Sequence, residues 1–405
     1  MTRRVVVTGM GIITALGSGK AENLSGIIAG ASAIGRLTSF DASGYRGATG
    51  AEIRGFEFDK ALSPNSPKRY DRAAKLLLTV AREAIREAGF ADKLPADTPV
   101  VLGTTLGGML SGSAFHKEIV LGREGRASSL FDYIAFSQGV RVAEDNGASS
   151  NVFSISNACA SGTNAIGFAL NEIRGGISDI ALAGGYDTMC EFTVAGFNSL
   201  QAITTTLCRP FDLRRDGLVL GEGAAILILE EMGAAKRRGT TILAEIAGYG
   251  ESSDAYHITR PDPTAGGARL AIKRALEDAA CAPSDVDYIN AHGTATSFND
   301  AMEAKAIREV FKDHAKTVPV SSIKSAVGHI LGGAGAIEAV ISIVAMNESI
   351  LPSNINYSTP DPECPLNIVD RPGQKHNIKR VLSNSFGFGG ANAALVIQKY
   401  RDREP

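Results

Sequence analysis

The chain contains no tryptophan, no excess of charge of either sign and no uninterrupted apolar run of about 18 residues, the length that a membrane span needs. Its 41 basic and 43 acidic residues give a formal net charge of -2, so no global field draws it toward nucleic acid or an anionic membrane. The strand predicted over 4–8 is not preceded by the charged and apolar regions of a signal peptide. We therefore expect a soluble, cytoplasmic protein with local docking patches and with no nucleic-acid or membrane partner.

Cysteine is also scarce, and the cysteines are scattered through the chain without a CxxC pair. Their odd number and irregular spacing argue against a disulfide framework. Structural zinc would require four clustered ligands, which this spacing does not provide. We therefore expect reduced thiols and no metal site. The five cysteines are Cys159, Cys190, Cys208, Cys281 and Cys364.

Glycine and hydrophobic residues, in contrast, are abundant. The 405 residues include 45 glycines, and 44% of the chain is hydrophobic. This is ample for buried cores and is typical of a globular α/β protein with many tight turns between strands and helices. A helix predicted over 76–89 and a strand over 100–104 are echoed by a helix over 268–280 and a strand over 287–291.

This echo predicts two similar βαβ-rich halves. We place the nucleophile cysteine described below in residues 1–250 and the histidines in residues 251–405. No linker rich in Gly and Ser or in Pro separates the halves, so we expect them to pack as one rigid body.

One of the cysteines stands at a position that favours chemistry. Cys159 lies between a strand predicted over 152–156 and a helix predicted over 161–174. A thiol at a helix N-terminus faces unpaired N–H groups and the positive end of the helix dipole, which lowers its pKa. The same amides can hold an oxyanion. A buried structural cysteine is the alternative, and it is the better interpretation of this segment taken alone.

Two histidines follow small, glycine-rich stretches at the ends of predicted strands, where catalytic groups often collect. They are His292 and His329, and each, taken singly, is as often an ordinary hydrogen-bonded core residue. Facing halves bring such connections together at a shared seam, so their placement with Cys159 favours a common site. The remaining histidines lack this setting, and they are His116, His257, His314 and His376. Among these four, only the role of His257 is left undecided.

Several motifs occur in order along nearly the whole chain. They span residues 5–11, the turn around Cys159, residues 209–212, 215–217 and 221–223, the two histidine segments, and residues 384–392. In these motifs the chain resembles the β-ketoacyl-acyl carrier protein synthases of the elongating kind. The resemblance implies an α/β, thiolase-like fold in which two similar halves form a five-layered αβαβα body.

The resemblance also implies a decarboxylating Claisen condensation. Cys159 would take an acyl group from an acyl carrier protein as a thioester. A malonyl thioester on a second carrier protein would then lose CO2, and His292 and His329 would donate hydrogen bonds to the enolate oxygen. Lys324 would position and polarise the histidine region, and Glu338 in the following helix would pair with Lys324.

Further positions match family motifs around the substrate. The backbone amides of Cys159 and Phe388 would hold the tetrahedral oxyanion, and Phe388 with its flanking glycines resembles a mobile gate. Thr294 and Thr296 resemble hydroxyls that bind the phosphopantetheine arm. Because this arm arrives on the carrier protein, no separate cofactor is expected.

Carrier proteins are acidic, so basic residues near the entrance are docking candidates. Solvated surface is an equally good interpretation of each of them. The candidates that match family positions are Lys68, Arg69, Arg126 and Arg209. The resemblance also implies a homodimer, with a heterodimer containing a chain-length factor as the alternative.

The chain departs from the family pattern beside the nucleophile and beside the gate. Asn157 and Ala391 stand where the family usually has threonine. The segment 197–209 is also shorter than the corresponding segment in many members from primary metabolism. The pathway therefore stays open between fatty acid elongation and specialised polyketide, polyene or lipid synthesis.

Three other functions are alternatives to condensation. A thiolase or an initiating synthase resembles a Cys-His-Cys or Cys-His-Asn arrangement, whereas here Lys324 precedes His329. A non-catalytic partner subunit that sets chain length usually lacks the nucleophile, which this chain retains. A cysteine protease would not explain two histidines embedded in glycine-rich segments.

Overall fold

This computed structural model describes residues 3–58, 70–91, 93–149 and 151–402. The predicted docking residues Lys68 and Arg69 therefore lie outside the described residues. The strands in the described part of the chain are β1 (Val5–Thr14), β2 (Gly17–Ser18), β3 (Gly35–Arg36), β4 (Thr49–Ala51), β5 (Val100–Gly103), β6 (Val152–Ile155), β7 (Ile180–Asp187), β8 (Leu220–Gly221), β9 (Gly223–Glu231), β10 (Ala244–Ser253), β11 (Tyr288–Asn290), β12 (Pro319–Ser321), β13 (Asn367–Ile368), β14 (Arg380–Gly387) and β15 (Ala391–Gln398).

Helices connect most of the strands of the large sheet. The α-helices are α1 (Lys20–Ile28), α2 (Arg72–Glu87), α3 (Met109–Val120), α4 (Ser128–Tyr133), α5 (Ala135–Asn146), α6 (Ser161–Arg174), α7 (Glu191–Ser199), α8 (Met232–Arg238), α9 (Gly266–Asp278), α10 (Ser297–Phe311), α11 (Lys324–Val327) and α12 (Ala334–Glu348). Short 3-10 turns lie at Pro283–Asp285, Lys312–Lys316, Leu331–Gly333 and Phe388–Gly390.

The large sheet repeats one strand order twice. The first half has the order β6-β5-β7-β9-β1, and the second has β12-β11-β14-β15-β10, with β13 added beside β12. In each half the first three strands are parallel and the last two pair antiparallel. Strands β1 and β10 pair from Val5↔Ile246 to Val7↔Ala244 and so join the halves. The prediction of two similar βαβ-rich halves is confirmed; residue 250, where we divided them, lies within β10, and that division stays a prediction.

The elements stack in five layers. Helices α2 and α5 cover the outer face of the first half-sheet, and α9 and α10 cover the outer face of the second. Helices α6 and α12 lie between the half-sheets and pack against each other and against strands of both halves. This arrangement is the predicted αβαβα body, and it puts the N-terminal ends of α6 and α12 side by side at the seam.

The central helix α12 is apolar on nearly all sides because it touches protein all around. The segment Leu331–Glu348, which includes it, has the length and composition of a membrane-spanning helix. In the structure 89% of this segment is buried inside the protein, which makes it a core helix.

Two elements extend beyond their predicted ends. The strand predicted over 4–8 continues to Thr14, because it pairs antiparallel with β9 as far as Gly223. The helix predicted over 76–89 begins at Arg72, where the Asp71 carboxylate accepts a hydrogen bond from the Ala74 backbone N–H at 2.9 Å.

Glycine allows α6 and α12 to approach each other closely. A Cβ atom on Gly162 would lie 2.8 Å from the Gly332 carbonyl oxygen and 2.9 Å from the Ala336 backbone nitrogen. A Cβ atom on Gly335 would lie 2.8 Å from the Thr163 backbone nitrogen. All three contacts are with backbone atoms, which cannot turn aside as a flexible side chain can.

We predict that Gly162→Ala lowers the free energy of unfolding by about 1–3 kcal/mol, because the added methyl overpacks this crossing. Urea unfolding measures the change. The control is Gly196→Ala in α7, where a Cβ atom meets nothing within 4 Å; it should change stability by less than about 0.5 kcal/mol or raise it slightly. Equal stabilities of the two variants would contradict the close crossing.

Candidate active site

Cys159 lies in a sharp turn between β6 and α6. Ala158 has φ 47°, a left-handed conformation that is unusual for alanine and turns the chain abruptly. The Ser161 hydroxyl donates to the Ala158 carbonyl at 2.6 Å and accepts from the Asn157 N–H at 2.8 Å. The strand-turn-helix arrangement predicted from the sequence is confirmed, and Ser161 holds the turn in place.

The structure brings Cys159, His292 and His329 together. The His329 Nε2 atom lies 3.0 Å from the Cys159 Sγ atom, and the two imidazole centroids are 5.2 Å apart in an edge-on arrangement. One potential ligand atom from each residue lies within 4.8 Å of the others. Cys159 belongs to the first half and both histidines to the second, so the site exists only at the seam.

The Cys159 thiol is more buried than its position at a helix N-terminus suggests. Burial raises the pKa of Cys159 to about 12, although the charge of Lys324 and the Phe388 backbone N–H act to lower it. The predicted lowering of the pKa is therefore wrong, because the loss of water outweighs the helix dipole. The thiol is protonated at neutral pH, and it faces the imidazole nitrogen of His329.

Lys324 is buried, and its ammonium group is fully engaged, as a residue that acts within the site requires. It is 1% exposed, and its Nζ atom donates to the His292 carbonyl oxygen at 2.6 Å. It also forms an ion pair with the Glu338 carboxylate and lies 3.4 Å from His292 Nδ1. Burial raises the pKa of Glu338 to about 7, with the Lys324 charge opposing the rise. The predicted pairing of Lys324 with Glu338 is present.

Both imidazoles are neutral at physiological pH. Burial and the nearby Lys324 charge lower the pKa of His292 and of His329 well below the usual value for histidine. An ammonium group beside Nδ1 of His292 can only donate, so the ring proton of His292 belongs on Nε2. This tautomer makes His292 a hydrogen-bond donor toward the cavity.

Sequence reasoning missed the buried carboxylates that hold the site loops. Glu303 in α10 accepts from the backbone N–H groups of His292 and Gly293, each at 2.8 Å. Burial raises the pKa of Glu303 to about 7, although these donors and Asn384 oppose the rise. The signal that could have identified Glu303 is a charged residue on the buried face of an amphipathic helix.

A second missed carboxylate, Asp187, binds loops on the other side of the nucleophile. It accepts from the Thr104 hydroxyl at 2.6 Å, the Leu106 N–H at 2.9 Å and the Gly332 N–H at 2.7 Å. Gly332 follows His329 by three residues, so Asp187 fixes the turn that carries this histidine. Burial raises the pKa of Asp187 to about 6 despite these donors.

A cavity of about 490 Å³ opens onto Cys159 and the two histidines. Thr294 and Thr296 line it, and their hydroxyl oxygens lie 2.9 Å apart. Phe388 also lines it, is 37% exposed and stacks on Phe197 with ring centroids 5.6 Å apart. The wall of the cavity therefore includes both the two threonines and an aromatic pair.

The predicted docking residues Arg126 and Arg209 do not line this cavity. Arg126 is exposed in the loop between α3 and α4, and Arg209 donates to the Thr206 hydroxyl at 3.0 Å. His257, which the sequence left open, does line the cavity, where its Nδ1 atom accepts from the Thr259 N–H at 3.1 Å.

Cys159, His292 and His329 are also the one cluster of potential metal ligands found in the described ranges. Their sulfur and nitrogen atoms suit a soft cation such as zinc. The Lys324 ammonium beside His292 would repel a divalent ion, and the cluster offers three ligands where structural zinc takes four. The absence of a metal stays a prediction.

Comparisons with known proteins identify the family of this chain. Residues 2–235 match the N-terminal domain of β-ketoacyl synthases, and residues 243–358 match the C-terminal domain. The chain belongs to the β-ketoacyl synthase family. It is 37% identical over 408 residues to a 3-oxoacyl-[acyl-carrier-protein] synthase 2 of Staphylococcus aureus (strain N315), covering 98% of this chain and 99% of the relative.

Solved structures agree with this assignment and confirm the predicted fold. The ishigamide ketosynthase/chain length factor superposes with a TM-score of 0.94 at 34% identity, covering 99% of this chain and 100% of that one. The AntDE:AntF complex, described as a type II PKS acyl-carrier protein with its ketosynthase bound to the hexaketide, superposes with a TM-score of 0.89 at 31% identity. This match covers 99% of this chain and 100% of that one.

We predict that iodoacetamide alkylates Cys159 slowly at pH 6 and about tenfold faster with each added pH unit up to pH 9. Only the thiolate reacts, and a group with a pKa of about 12 is still far from half ionised at pH 9. Peptide mass spectrometry at each pH measures the rate. The Cys159→Ala variant reports reaction at the other cysteines, and a plateau below pH 8 would show a preformed thiolate instead.

Proposed function

We propose that this protein catalyses the decarboxylating condensation of an acyl group held on Cys159 with a malonyl group on an acyl carrier protein. The product is a β-ketoacyl-acyl carrier protein. The observation that carries this proposal is the 3.0 Å contact between Cys159 Sγ and His329 Nε2, with His292 beside them. The family of the chain and the names of its relatives support it.

In the first step Cys159 Sγ attacks the thioester carbonyl of an acyl carrier protein. The thiol proton passes to the neutral His329 Nε2, so the sulfur becomes nucleophilic only as it reacts. The tetrahedral oxyanion is held by the backbone N–H groups of Cys159 and Phe388. The intermediate then collapses, the proton passes to the departing pantetheine thiol, and the acyl group stays on Cys159.

In the second step the malonyl thioester loses CO2. Once Cys159 is acylated, no S–H group faces His329, and the proton of its neutral ring lies on Nε2. The electron pair of the broken C–C bond forms an enolate, whose oxygen accepts hydrogen bonds from the Nε2–H groups of His292 and His329. Lys324 acts as a positioning residue, because it holds the His292 ring proton on Nε2. The enolate carbon then attacks the acyl carbonyl, the C–S bond breaks, and the released Cys159 thiolate takes up one proton from solvent.

Phe388 and the two threonines serve substrate entry. The phosphopantetheine arm, which is covalently attached to the carrier protein, passes the hydroxyls of Thr294 and Thr296 on its way to Cys159. Phe388 swings to admit the acyl chain, and its neighbours Gly389 and Gly390, with φ of 80° and 78°, supply the backbone freedom for this motion. No other cofactor takes part.

The carrier protein docks through basic side chains near the entrance, for which we propose Arg126, Arg209 and, outside the described residues, Lys68 and Arg69. Support comes from the AntDE:AntF complex, in which an acyl-carrier protein is bound to its ketosynthase. We also place the protein in the cytoplasm. The pathway, whether fatty acid or polyketide elongation, is left open by relatives of both kinds.

The non-catalytic partner subunit remains the second candidate. It is raised by the similarity to a ketosynthase/chain length factor. The intact trio of Cys159, His292 and His329 favours the catalytic function, because a subunit that only sets chain length has no use for a buried thiol against an imidazole.

We predict that incubation with acyl-carrier proteins of graded chain length adds an acyl group to Cys159, detected by intact-protein and peptide mass spectrometry. Cys159→Gln should abolish condensation and retain malonyl decarboxylation, because the histidines that stabilise the enolate are untouched. The matched control is Cys281→Ala, another 7% exposed cysteine, which should form the adduct normally. Absence of an adduct on the wild-type protein would favour the partner-subunit candidate.

We also propose that the protein forms a homodimer, and that an edge strand and the apolar surface beside it form the interface. Strand β6 is the outermost strand of the first half-sheet. In the nearby α3–α5 region Val120, Phe131 and Ile134 are 69%, 70% and 53% exposed. Monomeric proteins rarely leave such a surface uncovered.

We predict a dimer in sedimentation velocity experiments and a shift toward monomer for Phe131→Asp, which puts a charge into this apolar surface. Ile177→Asp, at a side chain 71% exposed in a loop after α6, is the control and should stay dimeric. A wild-type monomer that assembles only with a different subunit would support the heterodimer instead.

A further inference from the structure

The segment from His292 to Phe298 runs from the bottom of the catalytic cavity to its mouth. His292 is 1% exposed and Thr294 is 5% exposed, whereas Phe298 is 58% exposed at the start of α10. Phe298 lines both the catalytic cavity and the groove that continues along α10. An arm that lies beside the threonines therefore leaves the cavity next to Phe298.

A single arginine stands over Phe298 at this exit. The guanidinium carbon of Arg260 lies 5.1 Å from the centre of the Phe298 ring, a cation–π contact that orients the side chain. Arg260 lines the same cavity as Cys159. Within the ranges that the structure describes, no residue forms an ion pair or hydrogen bond with Arg260, so its donors face solvent.

The carboxylates that share this cavity are already engaged by other groups. Asp216 accepts from the hydroxyls of Thr204, Thr205 and Thr206. Asp254 accepts from the Asn392 side chain at 2.7 Å and from the Asp262 backbone N–H at 2.9 Å. Arg260 is thus an uncompensated cation at the mouth, and its planar fork suits a phosphate group.

We propose that Arg260, held on the Phe298 ring, binds the phosphate of the phosphopantetheine arm where this arm leaves the cavity. The inference rests on the proposed function. It assigns to Arg260 a role in substrate selection: a thioester whose arm ends in a phosphate is preferred over one that ends in a hydroxyl. The condensation chemistry at Cys159 is not involved.

Two thioesters that differ only in this phosphate test the proposal. They are malonyl-4′-phosphopantetheine and malonyl-pantetheine, each assayed for KM and kcat with acylated wild-type protein and with Arg260→Gln. We expect Arg260→Gln to raise the KM for the phosphorylated thioester about three- to tenfold with kcat unchanged, a range set by charge-assisted hydrogen bonds at a solvent-exposed site. The KM for malonyl-pantetheine should stay the same.

Two further variants sharpen the result. Arg260→Lys keeps the charge without the planar fork, so it should recover part of the lost affinity for the phosphorylated thioester. Arg308→Gln removes a cation from α10 that lines the neighbouring groove and not the cavity, and it should leave both KM values unchanged. The phosphate of malonyl-acyl carrier protein is a diester and keeps one negative charge, so its KM should change in the same direction as that of the phosphorylated thioester.

An equal change in KM for the two small thioesters in Arg260→Gln, or no change for either, would overturn the proposal. An equal change would mean that Arg260 affects the shape of the cavity and does not bind the phosphate. If the acylated wild-type protein condenses neither thioester and also fails with malonyl-acyl carrier protein, the proposed function itself falls, and this inference falls with it.

Discussion

The crossing of α6 and α12 is the constraint on which the site depends. Cys159 comes two residues before α6 begins, and His329 comes five residues before α12 begins. The distance between these two side chains is therefore set by how closely the two helices approach. Gly162 and Gly335 remove the side chains that would hold the helices apart. The absence of a Cβ atom at these two glycines therefore permits the 3.0 Å contact between Cys159 Sγ and His329 Nε2, which lie 170 residues apart in the chain.

Buried carboxylates position the loops that carry the reactive side chains. Asp187, Glu303 and Asp300 each accept backbone N–H groups from the loops that carry the reactive side chains. An unpaired buried charge is costly, so each carboxylate favours the one loop conformation that supplies its donors. The loops lack regular secondary structure over most of their length, and these hydrogen bonds fix their positions relative to the helices beside them.

Much of this arrangement could be predicted from the sequence. The strand, turn and helix around Cys159 follow from local patterns, and the two histidines stood out because small residues surround them. The resemblance to a known family connected these positions with Lys324 and Glu338. Their joint location in space depends on the pairing of β1 with β10 and on helix packing, neither of which leaves a local signal.

Other features could not be read from the chain. The pKa of Cys159 was misjudged because a helix N-terminus is visible in the sequence, whereas the depth of burial is a property of the assembled halves. Glu303 and Asp187 were missed for the same reason, since the backbone groups that they bind belong to segments distant in sequence. The role of Arg260 could not be predicted either, because the Phe298 ring that orients its side chain lies beside it only in the folded protein.

The turn that carries Phe388 has a mechanical consequence. Strands β14 and β15 pair up to Gly387↔Ala391, so only the three residues Phe388–Gly390 lie outside the ladder. A rotation of the aromatic ring within this tripeptide breaks no rung of the hairpin. The tripeptide is held instead by two backbone hydrogen bonds to the segment after β10, from the Gly389 N–H to the Ile258 carbonyl at 2.8 Å and from the Asp254 N–H to the Gly390 carbonyl at 2.9 Å. Opening the cavity can therefore draw on these two bonds and leave the ladder between β14 and β15 intact.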